Sequence, residues 1–389
     1  MKDTKTIDAI YSASTYGRAP VVFERGEGAR LWDDRGRSYI DFGSGIGVMS
    51  LGYGNRAWVK AVTEQAARLA HTSNLFYNEQ TALLAGRLCL RTRFERVFFS
   101  NSGAEANECL IKTARKWAED TKGPGEHPFV TLLNSFHGRT VTTVTATGQD
   151  AFHTSFGPFT PGFRYVPAND LEALRAQLER EDCSGFLVEI VQGEGGVRAL
   201  DADYLKAAEA LCREKNVLFC VDEVQTGNGR TGTWFAYEQF GLSPDLVSTA
   251  KGLGNCLPIG ATLMGEKVSE TLTPGSHGST FGGNPVACAG ALSVLAQIDD
   301  AFLAEVRAKG KILREALCAR PNVSDVSGLG LMIGFTVKNQ KAADVKAKAL
   351  EAGLVVLTAK DRVRLLPPLA ISRAELAEGL QKLALVLAG

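Results

Sequence analysis

The chain has 389 residues, 43 basic and 43 acidic side chains, and 45% hydrophobic residues. This composition is typical of a soluble globular protein, and the length favours two or three domains. The balanced charge gives no reason to expect nucleic acid or an acidic membrane surface as a partner. No apolar run is long enough to cross a bilayer, and the first residues lack a signal-peptide core, so we expect a cytoplasmic location.

The cysteine and histidine patterns indicate whether disulfides or a metal site are expected. The eight cysteines are scattered and form no C-x-x-C pair, which indicates reduced thiols rather than disulfides. The five histidines have no metal-like spacing, so we expect no metal site.

The predicted elements begin with a hairpin, in which residues 30–32 and 38–40 flank the turn 33–36. From about residue 96 to 265, short apolar runs alternate with helical patterns. These runs are Val97–Phe99, Val130–Leu133, Phe186–Val188, Val217–Val221 and Ala261–Met264. Such alternation predicts an α/β fold with a mainly parallel sheet covered by helices.

The last part of the chain has a different pattern. A helix over 302–317, a strand ending at 337, a strand near 363–365 and a final amphipathic helix from 374 predict a smaller α+β unit. We therefore expect a large domain at 61–297 and a small domain at 298–389, which the N-terminal segment 1–60 joins.

A candidate acid ends the apolar run 217–221. Asp222 follows this predicted strand, at the edge where open α/β sheets bind ligands. A solvated acid is the simpler alternative for a single Asp. The next segment, Gly227–Gly232, matches the dinucleotide pattern G-x-G-x-x-G. However, it does not follow the strand directly, and the residues from Thr233 onward are poorly suited to begin a helix. A tight glycine loop is therefore favoured over a dinucleotide site.

A candidate nucleophile is Lys251, which follows an apolar segment and precedes the turn Gly252–Gly254. Most lysines are solvated surface residues, and a P-loop is excluded because this lysine precedes the glycines. A lysine among small residues near a strand end can instead be desolvated. Desolvation favours the neutral amine that Schiff-base chemistry needs.

Two further loops have patterns of ligand contacts. Ser102 suits a helix N-cap, and Gly103 and Ala104 leave backbone N–H groups open to an anion, although an ordinary capped helix fits equally well. Phe136 can stack on a flat ligand, and Arg139 can grip a carboxylate with two parallel hydrogen bonds. A core phenylalanine beside a surface arginine is the alternative for this second loop.

Together these segments resemble the class III aminotransferases, over nearly the whole chain from Tyr16 to the C-terminus. The chain departs from the family pattern at Leu51–Arg56, where the family usually has Leu-Gly-His-x-His-Pro, and at Ile190, where it usually has proline. The matching segments occur in family order and are Asn101–Ala106, Phe136–Thr140, Gln192–Gly196, Asp222–Gly227, Lys251–Leu253 and Ser279–Pro285.

The resemblance implies a fold-type I enzyme that uses pyridoxal phosphate. Lys251 would hold the cofactor covalently and move a proton, and Asp222 would pair with the protonated pyridine nitrogen. The resemblance places the other cofactor contacts on Ser102, Gly103, Ala104, Phe136, Val224, Gln225 and Thr280. It places the substrate contacts on Tyr16, Arg139, Glu194, Ser279 and Arg364. It also implies a homodimer in which Ser279 and Thr280 reach the site of the other subunit.

The implied reaction transfers the terminal amine of N-acetyl-L-ornithine to 2-oxoglutarate, by ping-pong chemistry in arginine biosynthesis. Arg139 would hold a substrate carboxylate. Glu194 and Arg364 would form an ion pair that opens when glutamate binds, and a static structural pair is the alternative. Ornithine, succinylornithine and 4-aminobutyrate remain alternative amine donors because those enzymes share the cofactor motifs. A nicotinamide-dependent oxidoreductase and a non-catalytic cofactor-binding protein are the alternatives from other classes.

Overall fold

The computed structural model describes residues 3–180 and 182–388. The helices of the described chain are α1 (Thr4–Tyr11), α2 (Ser44–Gly47), α3 (Arg56–Arg68), α4 (Glu79–Thr92), α5 (Gly103–Lys122), α6 (Val141–Ala146), α7 (Leu171–Leu178), α8 (Ala202–Glu214), α9 (Pro285–Gln297), α10 (Asp300–Cys318), α11 (Ala342–Glu351) and α12 (Arg373–Ala388). The strands are β1 (Phe23–Glu27), β2 (Arg30–Asp33), β3 (Ser38–Asp41), β4 (Arg96–Ser100), β5 (Phe129–Leu132), β6 (Phe163–Val166), β7 (Gly185–Val188), β8 (Val191–Gln192), β9 (Arg198–Ala199), β10 (Leu218–Asp222), β11 (Leu246–Thr249), β12 (Gly260–Met264), β13 (Val323–Leu329), β14 (Met332–Val337), β15 (Leu354–Val355), β16 (Leu357–Ala359) and β17 (Arg362–Leu365).

The largest sheet has seven strands in the order β4-β12-β11-β10-β7-β5-β6. β10 pairs in parallel with β11 and β7, and β5 pairs in parallel with β7 and β6. Every residue of β5, β7 and β10 is buried, as expected for strands covered on both faces. The predicted α/β fold with a mainly parallel sheet is therefore confirmed, and all five predicted runs lie in this sheet.

One strand of this mainly parallel sheet is antiparallel to its neighbours, and two strands lie outside the five apolar runs named from the sequence. β12 is antiparallel to both β11 and β4. The connection from β11, residues 250–259, contains no α-helix and is too short for the crossover that a parallel neighbour needs. β6 and β11 mix polar and apolar residues, so neither forms the continuous apolar run that marked the other strands.

The chain ends form two smaller sheets. The hairpin of β2 and β3 is present, and β15 near the C-terminus pairs in parallel with β3, which joins the two ends of the chain. A second sheet has the order β13-β14-β17-β16, and its strands pair in antiparallel fashion. The predicted domain boundaries stay a prediction.

Two kinds of feature are absent from residues 3–180 and 182–388. No single helix is both long and apolar enough to cross a bilayer, and α9 with α10 passes that test only as a pair bent by 76°. No group of three or more His, Cys, Asp or Glu residues in the described ranges is arranged to hold a metal ion. All eight cysteines are free, and five of them are buried.

The fold brings four loops together at one edge of the large sheet. Strands β5, β7, β10 and β11 are parallel, so their carboxyl ends meet at the same edge. The chain leaves these ends at Leu132, Val188, Asp222 and Thr249. The residues that follow these ends include most of the candidate site.

Candidate active site

A cavity of about 370 Å³ opens at this edge of the sheet. Residues from the four loops and from the N-terminus of α5 line it. Of the predicted site residues, the cavity brings together Ser102, Gly103, Ala104, Phe136, Arg139, Asp222, Val224, Gln225 and Lys251. They come from segments far apart in the sequence, and their convergence in one cavity makes it the candidate active site.

The carboxylate of Asp222 is held in place by three donors. Its Oδ2 accepts hydrogen bonds from Asn107 Nδ2 and His137 Nδ1, both at 2.8 Å, and its Oδ1 accepts one from the backbone N–H of Val224 at 2.9 Å. The Oδ1 of Asn107 in turn accepts a hydrogen bond from Ser248 Oγ at 2.6 Å. A buried carboxylate with this set of donors has a fixed orientation.

Two of these supporting residues were not assigned a role from the sequence. Asn107 lies one helical turn into α5, and His137 sits inside the segment Phe136–Thr140. A buried asparagine on an otherwise apolar helix face is a usable signal for Asn107. His137 has no such local signal, because its contact with Asp222 joins loops from two different strands. Its Nε2 is buried and has no hydrogen-bond partner in the described chain.

Lys251 enters the cavity from the end of β11. It has a left-handed backbone with φ +44°, a conformation that a non-glycine residue adopts only when its surroundings impose it. One such contact is a hydrogen bond that Asn228 Nδ2 donates to the carbonyl of Ala250, the residue before Lys251, at 3.0 Å. Burial lowers the pKa of the Lys251 amine, and the carboxylates of Glu194 and Asp222 partly oppose that shift. The prediction of a desolvated lysine agrees with this geometry.

The N-terminus of α5 forms another wall of the cavity, and there the backbone lies close to the side chain of Val224. Ser102 caps α5 by accepting from the N–H of Glu105 at 3.2 Å. A Cβ atom added at Gly103 would lie 2.6 Å from a methyl group of Val224, so only glycine fits there. The first backbone N–H groups of α5 are thus available to an anion at the cavity wall.

Phe136 and Arg139 lie on the loop after β5. The Arg139 guanidinium stacks on the Phe152 ring, with its Cζ 4.0 Å from the ring centre and 5.5 Å from that of Phe136. Arg139 is exposed at the cavity rim and makes no ion pair within 4.0 Å in the described ranges. A planar cation held by stacking, with its donors free, is suited to gripping a carboxylate.

The predicted ion pair between Glu194 and Arg364 is present in the structure. Arg364 Nη1 lies 2.5 Å from Glu194 Oε1 and 3.2 Å from Gln225 Oε1. Burial alone would raise the pKa of Glu194, but the Arg364 guanidinium outweighs it and the net shift is downward. Gln225 therefore links the ion pair to the cavity that it lines.

A second carboxyl group in the cavity wall was missed by the sequence analysis. Glu189 accepts from the N–H groups of Phe136 at 2.9 Å and Gly193 at 3.1 Å, and it is buried. Burial raises its pKa to about 7, against the opposing effect of His137 and with the added effect of Asp222. The available signal was positional, because Glu189 follows β7 as an acid at a strand end in the way that Asp222 ends β10.

Five predicted site residues are not in the lining of this cavity: the ion pair of Glu194 and Arg364, which reaches it through Gln225, and Tyr16, Ser279 and Thr280. Tyr16 is exposed in the N-terminal segment, and Thr280 is exposed in the loop that precedes α9. Ser279 lines a separate cavity of about 410 Å³, although its Oγ accepts a hydrogen bond from Asn101 Nδ2 at 3.2 Å. Their predicted roles stay predictions, since those of Ser279 and Thr280 require a second subunit.

The residues present fit pyridoxal phosphate. An amine with a lowered pKa, an anchored carboxylate and a helix N-terminus suited to a phosphate all face one cavity, and Phe136 and Val224 also line it. This is the donor set of an enzyme that binds the cofactor through a lysine and exploits its ring as an electron sink. The fold and the site thus define a pyridoxal-phosphate enzyme.

Comparison with known proteins gives the family. The family Aminotransferase class-III matches residues 11–387. The chain is 50% identical to the acetylornithine aminotransferase of Haemophilus ducreyi over 98% of both chains, and 44% identical to that of Caldanaerobacter subterraneus over 97% of both. The chain belongs to the class-III aminotransferases, which confirms the predicted family.

Solved structures agree with this assignment. An ornithine aminotransferase from Toxoplasma gondii matches with a TM-score of 0.95 and 35% identity, covering 99% of this chain and 94% of that one. An N-acetylornithine aminotransferase from Stenotrophomonas maltophilia matches with a TM-score of 0.86 and 38% identity over 98% of both chains. Another structure of the Toxoplasma enzyme has partial occupancy of pyridoxal phosphate at its active site. The predicted fold type and cofactor are confirmed.

Proposed function

We propose that this chain is an acetylornithine aminotransferase. It transfers the terminal amine of N-acetyl-L-ornithine to 2-oxoglutarate and so forms N-acetylglutamate semialdehyde and glutamate. The acetylornithine aminotransferases at 44–50% identity support the acetylated substrate. Use in arginine biosynthesis is part of the same proposal and is supported by the names of those relatives, and a cytoplasmic location is proposed with it.

The observation that carries the proposal is the contrast between two arginines. Arg139 lies open at the cavity rim, whereas Arg364 is covered by Glu194. Acetylornithine has one carboxylate, far from its reacting amine, and glutamate has a second carboxylate beside its reacting amine. One open arginine serves both substrates at their far end. The covered arginine is needed only by glutamate and would be an unpaired charge against acetylornithine.

The chain's own groups supply the remaining requirements of the chemistry. When bound, pyridoxal phosphate supplies an electrophilic carbon for the amine and a ring that accepts electron density. Lys251 Nζ would hold the cofactor and would carry the proton, and its lowered pKa favours the neutral amine that both roles need. Asp222 would pair with the ring nitrogen, and Asn107 and His137 fix the orientation of its carboxylate.

The other predicted contacts belong to the same proposal. The N-terminus of α5, at Ser102, Gly103 and Ala104, would hold the phosphate. Phe136 and Val224 would sandwich the ring, and Gln225 would reach its phenolic oxygen. Tyr16 and Ser279 contact the substrate.

We include a homodimer in the proposal, with Ser279 and Thr280 completing the site of the other subunit. An exposed apolar group supports this arrangement, since Leu75, Phe76 and Phe281 are each more than 60% exposed. Phe76 lines the same cavity as Ser279, and Leu75 and Phe281 are close in sequence to other lining residues. Large exposed apolar groups of this kind are typical of subunit interfaces.

Ornithine aminotransferase is the second candidate, because the Toxoplasma ornithine enzyme has the higher TM-score of the two structures. A panel of N-acetylornithine, N-succinylornithine, ornithine and 4-aminobutyrate, each with 2-oxoglutarate, separates the candidates. We expect the highest kcat/KM, measured by glutamate formation, with N-acetylornithine. A higher value for any other donor would overturn the proposed substrate.

The proposed switch has its own test in Glu194→Gln, which keeps the shape of the side chain and removes its charge. Single-turnover rates should fall more for acetylornithine than for glutamate, because only the first substrate needs Arg364 covered. A roughly tenfold difference corresponds to about 1.4 kcal/mol, a size that a partly buried charge pair can supply. Equal losses with both substrates would leave a static ion pair.

A further inference from the structure

Two arginines of β17 project from the same face of the strand. Arg362 and Arg364 are two positions apart, and strand residues at that spacing share a face. Arg364 contacts the carboxylate of Glu194, as described above. The Arg362 side chain is only 1% exposed, yet its closest carboxylate oxygen is Asp325 Oδ2, 3.7 Å from Nε. A cation buried this deeply needs other acceptors.

Backbone carbonyl groups supply those acceptors. They come from three segments, which are the loop 193–197, β13 and β14. The hydrogen bonds run from the Arg362 guanidinium to the carbonyl oxygens of Gly196, Val197, Asp325 and Gly334 and to the hydroxyl of Ser327. A single side chain therefore ties the loop that carries Glu194 to the C-terminal sheet that carries Arg364.

The loop has a strained residue at this point of attachment. Val197 is buried and has φ +57°, which is unusual for a β-branched residue and persists only when surrounding contacts impose it. Its carbonyl accepts from Arg362 Nη1 at 3.4 Å and from Ser327 Oγ at 2.5 Å. Its N–H donates to the Gly193 carbonyl at 3.3 Å, which closes the turn containing Glu194.

The backbone of the loop and of the sheet is closely packed around Arg362. A Cβ atom added at Gly196 would lie 3.3 Å from Arg362 Cδ, and Gly196 itself has φ +108°, where glycine is favoured. A Cβ atom added at Gly334 would lie 2.7 Å from the Val197 Cβ. The loop and the sheet are thus in direct contact, with Arg362 filling the space between them.

We propose that Arg362 is a positioning residue for the ion pair between Glu194 and Arg364. It fixes the loop 193–197 on the C-terminal sheet, so that the pair opens by movement of side chains while the Glu194 backbone stays in place. This inference rests on the switch in the proposed function. It predicts that loss of Arg362 harms the acetylornithine half-reaction selectively, because only that reaction needs Glu194 held against Arg364.

The test is Arg362→Met, which keeps the length of the side chain and removes its donors. We expect a roughly tenfold or greater loss in the acetylornithine single-turnover rate and a clearly smaller loss with glutamate, in line with one charge-assisted hydrogen bond. Arg362→Lys should recover part of the loss. The matched control is Arg198→Met, because Arg198 pairs with the same Asp325 at 2.6 Å from the solvent side. The control should keep the wild-type ratio of the two rates.

A double-mutant cycle separates positioning from general stability. Arg362→Met combined with Glu194→Gln should add no further selective loss, because the two changes act on one interaction. If Glu194→Gln is selective and Arg362→Met lowers both half-reactions equally, the inference is wrong while the proposed function stands. If Glu194→Gln is not selective, the switch itself fails and the inference fails with it.

Two further measurements keep the test decisive if Arg362→Met folds poorly. Ser327→Ala removes the hydroxyl that donates to the Val197 carbonyl and should give the same selectivity in a smaller amount. Amide hydrogen exchange at Val197, measured on the holoenzyme, reports the loop without relying on turnover. Exchange should be faster in Ser327→Ala and unchanged in Arg198→Met. Unchanged exchange in Ser327→Ala together with an unchanged rate ratio would overturn the inference.

Discussion

The replacement Arg139→Lys tests how the enzyme measures the distance from carboxylate to amine. Arg139 is stacked on Phe152 at 4.0 Å and has no ion pair in the described chain, so its donors are directed to whatever occupies the cavity rim. The alternative role is that of a surface arginine that anchors its loop to a nearby acid, but no acid lies within 4.0 Å of its guanidinium in the described ranges. Lysine keeps the positive charge but loses the planar fork.

The size of the effect follows from the contact that is lost. A charge-assisted hydrogen bond contributes roughly 1.5–3 kcal/mol, so removing one arm of a bidentate grip should lower kcat/KM about ten- to hundredfold. Loss of the stacked geometry adds a smaller effect, on the order of 0.5–1 kcal/mol at an exposed site. Because the far carboxylates of acetylornithine and glutamate use the same grip, both half-reactions should fall together.

Single-turnover kinetics with each substrate provide the assay. Arg96→Lys is a matched control, since Arg96 is exposed and pairs with Glu270 at the surface. The control should have wild-type rates. Wild-type efficiency of Arg139→Lys with both acetylornithine and glutamate would remove Arg139 from the site. It would also remove the main reason for preferring a carboxylate-bearing amine donor.

Three other predictions concern the cofactor, the interface and pH. Lys251→Ala should lose catalysis by orders of magnitude with an unchanged melting temperature, and borohydride-trapped cofactor on any other lysine would refute its role. Mixing inactive Lys251→Ala with Thr280→Asp should restore activity through hybrid dimers if Thr280 completes the partner's site, whereas a mixture without gain would place Thr280 in its own subunit's site. Burial raises the pKa of Glu189 from 4.5 to about 7 in the folded state. The protonated carboxyl therefore stabilises the fold at low pH, and this stabilisation is lost as the pH rises through 7. Wild-type unfolding free energy should therefore fall between pH 5 and 8 by about 2–3 kcal/mol relative to Glu189→Gln in urea titrations, and parallel pH profiles would contradict the shift.

The sequence was sufficient to place the candidate groups because they lie in short local motifs, and the resemblance to the class III aminotransferases gave those groups their proposed roles. Asp222 ends an apolar run, Lys251 precedes a glycine turn, and Ser102 begins a helix. Each of these positions follows from neighbouring residues alone, since strand ends, turns and caps are local features. The parallel order of the strands then requires these positions to share one edge of the sheet.

What only the tertiary structure decided is how those groups are supported. Asn107 and His137 reach Asp222 from other elements, Glu189 is buried beside them, and Arg362 joins a distant loop to its own strand. Nothing in the local spacing marks such contacts, because hydrogen bonds between segments far apart in the chain depend on how the whole sheet is assembled. The reversed direction of β12 has the same origin, since strand direction depends on the length of a connection and on the free edge that it reaches.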